Sequence, residues 1–345
     1  MVPAANARTS QTNSERGNRL LKILVTGGAG FIGSHLTEEL LAQGHQVVVL
    51  DDMSTGNPEN LENFHELSAF RLVEGSVLNE EILEPLIQEA DLIYHLAAAV
   101  GVKLILERLV ETLDNNVQGS EKVIRLAHAA GNKKVILASS SEVYGKSPNL
   151  PWNEDDDLLL GPTSYGRWGY ACSKMMDEFL GLAYSKEKGL PVVVIRFFNT
   201  VGPRQKGQYG MVFPRFVSQA LAGEPITVYG DGTQSRCFTN VDDVVGAIID
   251  ISRVPEAEGQ VFNVGNNQEI DINHLAELVK ETLGSSSPIA HLPFNETYGM
   301  DFEDIARRIP GLEKIQSYID FQPGSDLRPV IKRIASAQQT QSVRS

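Results

Sequence analysis

Two groups of residues have the types and spacing to do chemistry. Tyr170 and Lys174 stand four apart in YACSKMMDEFL, so in a helix they share one face. An ammonium beside a phenol favours the phenolate, which lowers the tyrosine pKa and makes Tyr170 a usable base near neutrality. Taken alone the pair is common on ordinary surface helices; its place after a run ending in Ser139, Ser140 and Ser141 sets it apart. The second group is Gly27, Gly30 and Gly33 in TGGAGFIGSH. Such glycines permit a tight turn and a close backbone approach to a pyrophosphate, while the helix N-terminus supplies positive potential. Phe31 and Ile32 belong to the same candidate cofactor loop. Asp51 ends the next apolar run, where a carboxylate can accept from ribose hydroxyls and repel a 2′-phosphate, favouring NAD over NADP. The rival reading of Asp51 is a turn acid in DDMSTG.

The elements that must position these residues are legible in the patterning. LKILVTGG, HQVVVLDD, FRLVEGSV and DLIYHLAA are short β-branched runs, separated by helical patterns such as GFIGSHLTEELLAQG and NEEILEPLIQEA. Strand and helix in alternation imply parallel strands with crossovers, hence an α/β, Rossmann-type doubly wound sheet. The alternation continues through a helix near 106–130, the strand 133–141, a helix near 168–187 and the strand 191–199. Glycine and proline then become frequent, which points to a smaller mixed α/β C-terminal lobe. The expected division is a flexible tail at 1–19, a cofactor domain at 20–200 with 237–265, a substrate lobe at 201–236 with 266–335, and a frayed end at 336–345.

Composition excludes several classes. With 345 residues, 42% of them hydrophobic, the chain can bury a substantial core, and its net charge of −14 opposes non-specific attraction to nucleic acid. The N-terminal stretch has no apolar core of an export signal, and no run is long enough to span a bilayer. Cys172 and Cys237 are too few for a disulfide framework and suit a reducing cytoplasm. His35, His45, His65, His95, His128, His274 and His291 are scattered, so no metal site is expected.

TGGAGFIGSH, HLAAAV, SSSEVYG, YACSK and RFFNTVGPR, in that order, resemble the extended short-chain dehydrogenases/reductases that modify nucleotide sugars, over about residues 22–333. The resemblance implies that Tyr170 removes the sugar O4 proton, Ser140 hydrogen-bonds that oxygen, and Lys174 holds the nicotinamide ribose. It implies that Asn116 supports the site and that Ala97 and Ala98 line the cofactor groove, although close strand packing explains those alanines equally well. Where the family usually has Gly-Asp at the adenine, this chain has Gly75, Ser76 and Val77. Ser76 can still accept a hydrogen bond and Val77 can pack on the ring.

Family members share a 4-keto sugar and differ in its fate. A 4,6-dehydratase carries an acid pair after the active-site hydroxyl, whereas Ser140 is followed here by Ser141 and Glu142. SSSEVYG is most similar to UDP-glucuronate decarboxylases, as are GRWGYACSK, QSRCFTNV and YGMDFEDIARRIP. That similarity implies roles at the uronate end for Glu142 and Arg236, with an outward surface acid and a plain phosphate grip as their alternatives. Asn199, Arg204, Tyr298 and Arg307, with Arg308 beside it, are further candidates for the UDP-sugar. The expected activity is oxidative decarboxylation of UDP-glucuronate, with 4-epimerisation of a UDP-sugar behind it and a non-catalytic NAD-binding regulator as a distant alternative. The resemblance also implies a homodimer joined through the helices near 106–130 and 168–187.

Overall fold

The computed structural model describes residues 20–99, 108–207, 211–293, 305 and 307–344. Seven strands form one parallel sheet: β1 (Lys22–Thr26), β2 (Gln46–Asp51), β3 (Phe70–Glu74), β4 (Leu92–His95), β5 (Lys134–Ser140), β6 (Val192–Phe197) and β11 (Gln260–Val264). Their spatial order is β11-β6-β5-β4-β1-β2-β3. The order reverses between β1 and β4, and the crevice at the carboxyl ends of strands about such a reversal is where ligands bind in open α/β sheets.

The strands are near-continuous apolar runs because both faces are covered. On one face α1 (Phe31–Ala42) and α6 (Val241–Ser252) bury Leu36, Leu40, Val244 and Ile248 against Val25, Val49 and Ile195. On the other, α2 (Glu80–Glu89), α3 (Leu109–Ala129) and α4 (Gly166–Lys188) pack Leu83, Ile87, Val123 and Ile124 against Leu24, Ile93 and Val135. A third cluster is built from α5 (Val212–Ala222), β8 (Ile226–Tyr229), α7 (Ile272–Leu283) and α9 (Arg328–Arg344), with Phe216, Val228, Leu275 and Ile331 at its centre. Three strand pairs lie outside the main sheet: β7 (Thr200–Val201) with β10 (Thr239–Asn240), β8 with β13 (Ile289–Leu292), and β9 (Ser235–Cys237) with β12 (Glu269–Asp271).

The end of the chain departs from expectation. Residues 336–344, expected to fray, continue α9. The buried Ile331, Ile334 and Ala335 anchor that helix, and the Gln338 amide donates to Pro214 O at 3.1 Å. An anchored helix propagates cheaply once nucleated.

Candidate active site

The glycine loop is folded by contact. Gly27 has φ +73°, and a Cβ there would lie 2.7 Å from the Ala97 nitrogen; one on Gly33 would lie 2.2 Å from Gly27 O. The loop therefore packs directly on the end of β4 and on the first turn of α1, which holds no acidic residue. Asp51 is buried; its Oδ2 accepts from the Ala29 amide and its Oδ1 from the Met53 amide, both at 2.9 Å. Burial pushes its carboxyl above the usual range, against the pull of those two N–H groups. Gly27, Gly30, Phe31, Ile32, Gly33, Asp51, Ser76, Val77, Ala97 and Ala98 all line one cavity of about 550 Å³. The Ser76 hydroxyl also accepts from the Leu78 amide at 3.2 Å. A glycine cradle that a Cβ would fill, opening on a helix N-terminus free of acids, fits a dinucleotide diphosphate.

Tyr170, Lys174 and Ser140 line the same cavity. Lys174 Nζ donates to Ala138 O and to Asp177 Oδ2, each at 3.0 Å. Burial alone would drive its proton off, yet Asp177, Tyr170 and Glu178 hold its pKa above the ordinary value. The Tyr170 phenol and Ser140 face the same cavity, and the Ser140 Oγ accepts from the Glu142 amide at 3.2 Å. Contrary to the sequence expectation, the Tyr170 pKa lies above its usual value: desolvation outweighs the pull of Lys174 and Ser140, and Glu142 and Asp177 add to the rise. Asn116 accepts from the Ala99 amide at 3.0 Å and donates to Ser173 Oγ at 3.2 Å, and Ser173 in turn donates to Tyr170 O at 2.8 Å. That chain joins the end of β4 to the turn of α4 that carries Tyr170.

Glu142 is the most constrained charge in the cavity. Its Oε2 meets Arg167 at 3.0 Å and its Oε1 pairs with Arg308. Burial raises its pKa, but the two guanidiniums override that and hold it at about 2. Arg308 arrives from far along the chain, and the backbone fixes it: the Trp152 amide donates to Ile309 O at 2.8 Å, and the Gly311 amide to Trp152 O at 2.7 Å.

Several expected residues are placed differently. Arg307 turns away to Glu269, at 2.5 Å, with its side chain 55% exposed; its neighbour Arg308 lines the cavity instead. The alternation of side chains along an extended segment explains the swap. Arg236 lines the cavity and donates to Ser235 O at 2.7 Å, but Arg167 and Arg308, not Arg236, hold Glu142. Arg204 lies in the wall, paired with Glu38 at 2.5 Å. Asn199 also lines it, its Nδ2 buried without a hydrogen-bond partner among the described residues. Tyr298 lies outside the described residues. Arg167 was missed altogether, although its place three residues before Tyr170 sets it on the same helical face.

The chain is similar to proteins of known activity along most of its length. The NAD dependent epimerase/dehydratase family matches residues 23–265. A UDP-N-acetyl-alpha-D-glucosaminuronate decarboxylase of Bacillus cytotoxicus is 41% identical over 88% of this chain and 92% of its own length. UDP-glucuronic acid decarboxylase 1 of Danio rerio is 37% identical over 88% of this chain and 69% of its own. Among solved structures, UDP-glucuronic acid 4-epimerase from Bacillus cereus, in complex with UDP-glucuronic acid and NAD, superposes with a TM-score of 0.83 at 28% identity, covering 93% of this chain and 99% of that one. The chain belongs to the NAD dependent epimerase/dehydratase family of enzymes.

Two measurements check the site. Gly33→Ala must displace backbone, so NAD affinity should fall by about ten- to a hundredfold in a binding titration; unchanged affinity would mean that the loop does not carry the cofactor. Glu142 has a depressed pKa, so its contribution to stability is complete above pH 4.5 and is lost as pH falls toward about 2. Glu142→Gln should therefore flatten the melting temperature against pH across that window.

Proposed function

We propose that this enzyme oxidises a UDP-linked hexuronate at C4 and removes its carboxyl group as carbon dioxide. The observation that carries the reading is the ionised Glu142 held between Arg167 and Arg308, in one cavity with Ser140 and Tyr170. Two guanidiniums on one wall of the cavity suit an anionic sugar. The relatives support it: the two named decarboxylases act on uronates that differ at C2 and share the carboxylate.

Bound NAD supplies the acceptor for the C4 hydrogen and returns it later. The chain's own residues do the rest. Tyr170 takes the O4 proton in its phenolate form, which the Lys174 charge favours and burial opposes, and the Ser140 hydroxyl bonds the same oxygen. The resulting ketone is β to the carboxylate, so the C5–C6 bond breaks with its electron pair passing into an enolate whose charge rests on O4. Tyr170, now protonated, and Ser140 both donate to that oxygen. Arg308 and Arg167 orient the departing carboxylate. Glu142, ionised at neutral pH, holds the two arginines in place and is not itself a proton donor to C5 in its resting state; C5 takes its proton from solvent water, which restores the C4 ketone before the hydride returns. Lys174 and Asp51 serve the cofactor's two riboses, Ser76 and Val77 its adenine, Ala97 and Ala98 its groove. Asn199 and Arg236 serve the sugar diphosphate, with Arg204 recruited only by leaving Glu38.

A second reading, 4-epimerisation of the same uronate, is favoured by the likeness to the Bacillus cereus epimerase. Two further proposals follow from the surface. Met176 and Phe179 on α4 are 50% and 66% exposed, and Val110 on α3 is 76% exposed; this apolar face suits a second copy of the chain. The free Cys172 and Cys237 suit a reducing cytoplasm, and among the described residues no helix is long and apolar enough to cross a membrane.

The test is to incubate the enzyme with UDP-glucuronate, and separately with its 2-acetamido analogue, and to follow the sugar by NMR. Loss of C6 from either supports the reading; a C4 epimer with all carbons kept would replace it with the second. Arg308→Met should slow carbon loss by about 10²–10³-fold while bound NAD is still reduced, and Tyr170→Phe should stop both. Phe179→Glu should shift the protein toward monomer in light scattering, and an unaltered mass would reject the proposed interface.

A further inference from the structure

One buried carboxylate in the catalytic helix has no part in the reaction described above. Asp177 is 1% exposed and Lys174 is 2% exposed, and their charged atoms lie 3.0 Å apart. A buried ammonium without a charged partner has its pKa pushed down. Ala138 O offers Lys174 a dipole only. The next carboxylate, Glu178, is committed elsewhere: its oxygens accept from Arg196 at 2.9 and 2.7 Å and from Ser139 at 2.5 Å. Glu142 is paired with Arg167 and Arg308; it raises the Tyr170 pKa as Asp177 does, but it does not pair with Lys174. From β4 comes His95, bonded to Thr26 and Ser120 and held neutral by burial, its pKa pushed down to about 3. From α3, Ser120 lies against Asp177.

We propose that Asp177 is a positioning residue that, through Lys174, sets the pH window in which Tyr170 exchanges its proton with the sugar. The proposal rests on Tyr170 as the base. Asp177 fixes Nζ between itself and the β5 backbone, and its negative charge favours the protonated form of both Lys174 and Tyr170. Removing that charge without changing shape must therefore move both limbs of the pH profile in the same direction, toward acid. A group that only fills space would move neither.

The experiment is single-turnover reduction of bound NAD in the full-length holoenzyme, driven by UDP-glucuronate or its 2-acetamido analogue and measured against pH. Asp177→Asn should shift both limbs acidward by about one pH unit, and Asp177→Glu, which keeps the charge, should return them toward the wild-type positions. A uniform slowing at every pH with unmoved limbs overturns the proposal. Asp177→Leu is the second neutral variant: if either retains NAD it must show the shift. If neither does while Asp177→Glu remains folded, the carboxylate is a requirement of the fold and the proposal fails. Wild-type enzyme that cannot reduce its NAD with either sugar would instead defeat the functional reading beneath it.

Discussion

Glu142, clamped between Arg167 and Arg308, is the interaction on which the site depends. Its carboxylate follows β5, Arg167 opens α4, and Arg308 comes from a segment pinned to Trp152 by the two backbone bonds at Ile309 and Gly311. Three distant stretches of chain are thereby held to one pair of oxygens. The Asn263 side-chain amide, bonded to Trp152 O at 2.9 Å and Gly311 O at 3.3 Å, extends the same tie to β11.

Along α4 the same principle repeats. Arg167 answers Glu142, Lys174 answers Asp177, and Glu178 answers Arg196. Buried ion pairs contribute little net stability because desolvation offsets their attraction, but breaking one is costly. Here they act as spacers. A helix that must keep its charged face satisfied cannot rotate or slide without stranding a charge, so the position of Tyr170 beside Ser140 is set by the ion pairs along its own helix. The apolar helix–sheet packing supplies the stability; the ionic face supplies the register.

Much of this was legible in the sequence, and the boundary is physical. Periodicity in the strands and helices gave the parallel sheet, because local patterning reflects burial. The convergence of Gly27, Gly33, Tyr170 and Lys174 on one cavity was legible because it depends on near neighbours in the chain. Arg308 was hard to separate from Arg307, since which of two adjacent residues faces inward depends on backbone register set by Trp152 and Gly311. The acidity of Tyr170 was misjudged for a related reason: the lysine at four residues' distance is visible in sequence, whereas complete burial of the phenol is not. Arg167 was legible in principle, from its spacing to Tyr170. The helical continuation beyond residue 335 followed from packing of Ile331 and Ile334, not from the polar composition of the end.

The most direct test of the account is to supply UDP-glucuronate labelled with carbon-13 at C6, in parallel with the equally labelled 2-acetamido analogue, and to follow labelled carbon dioxide and bicarbonate. The account predicts one equivalent of labelled carbon dioxide per sugar consumed from at least one of the two, dependent on Tyr170. Consumption of both sugars with the label retained in a UDP-hexuronate would contradict it.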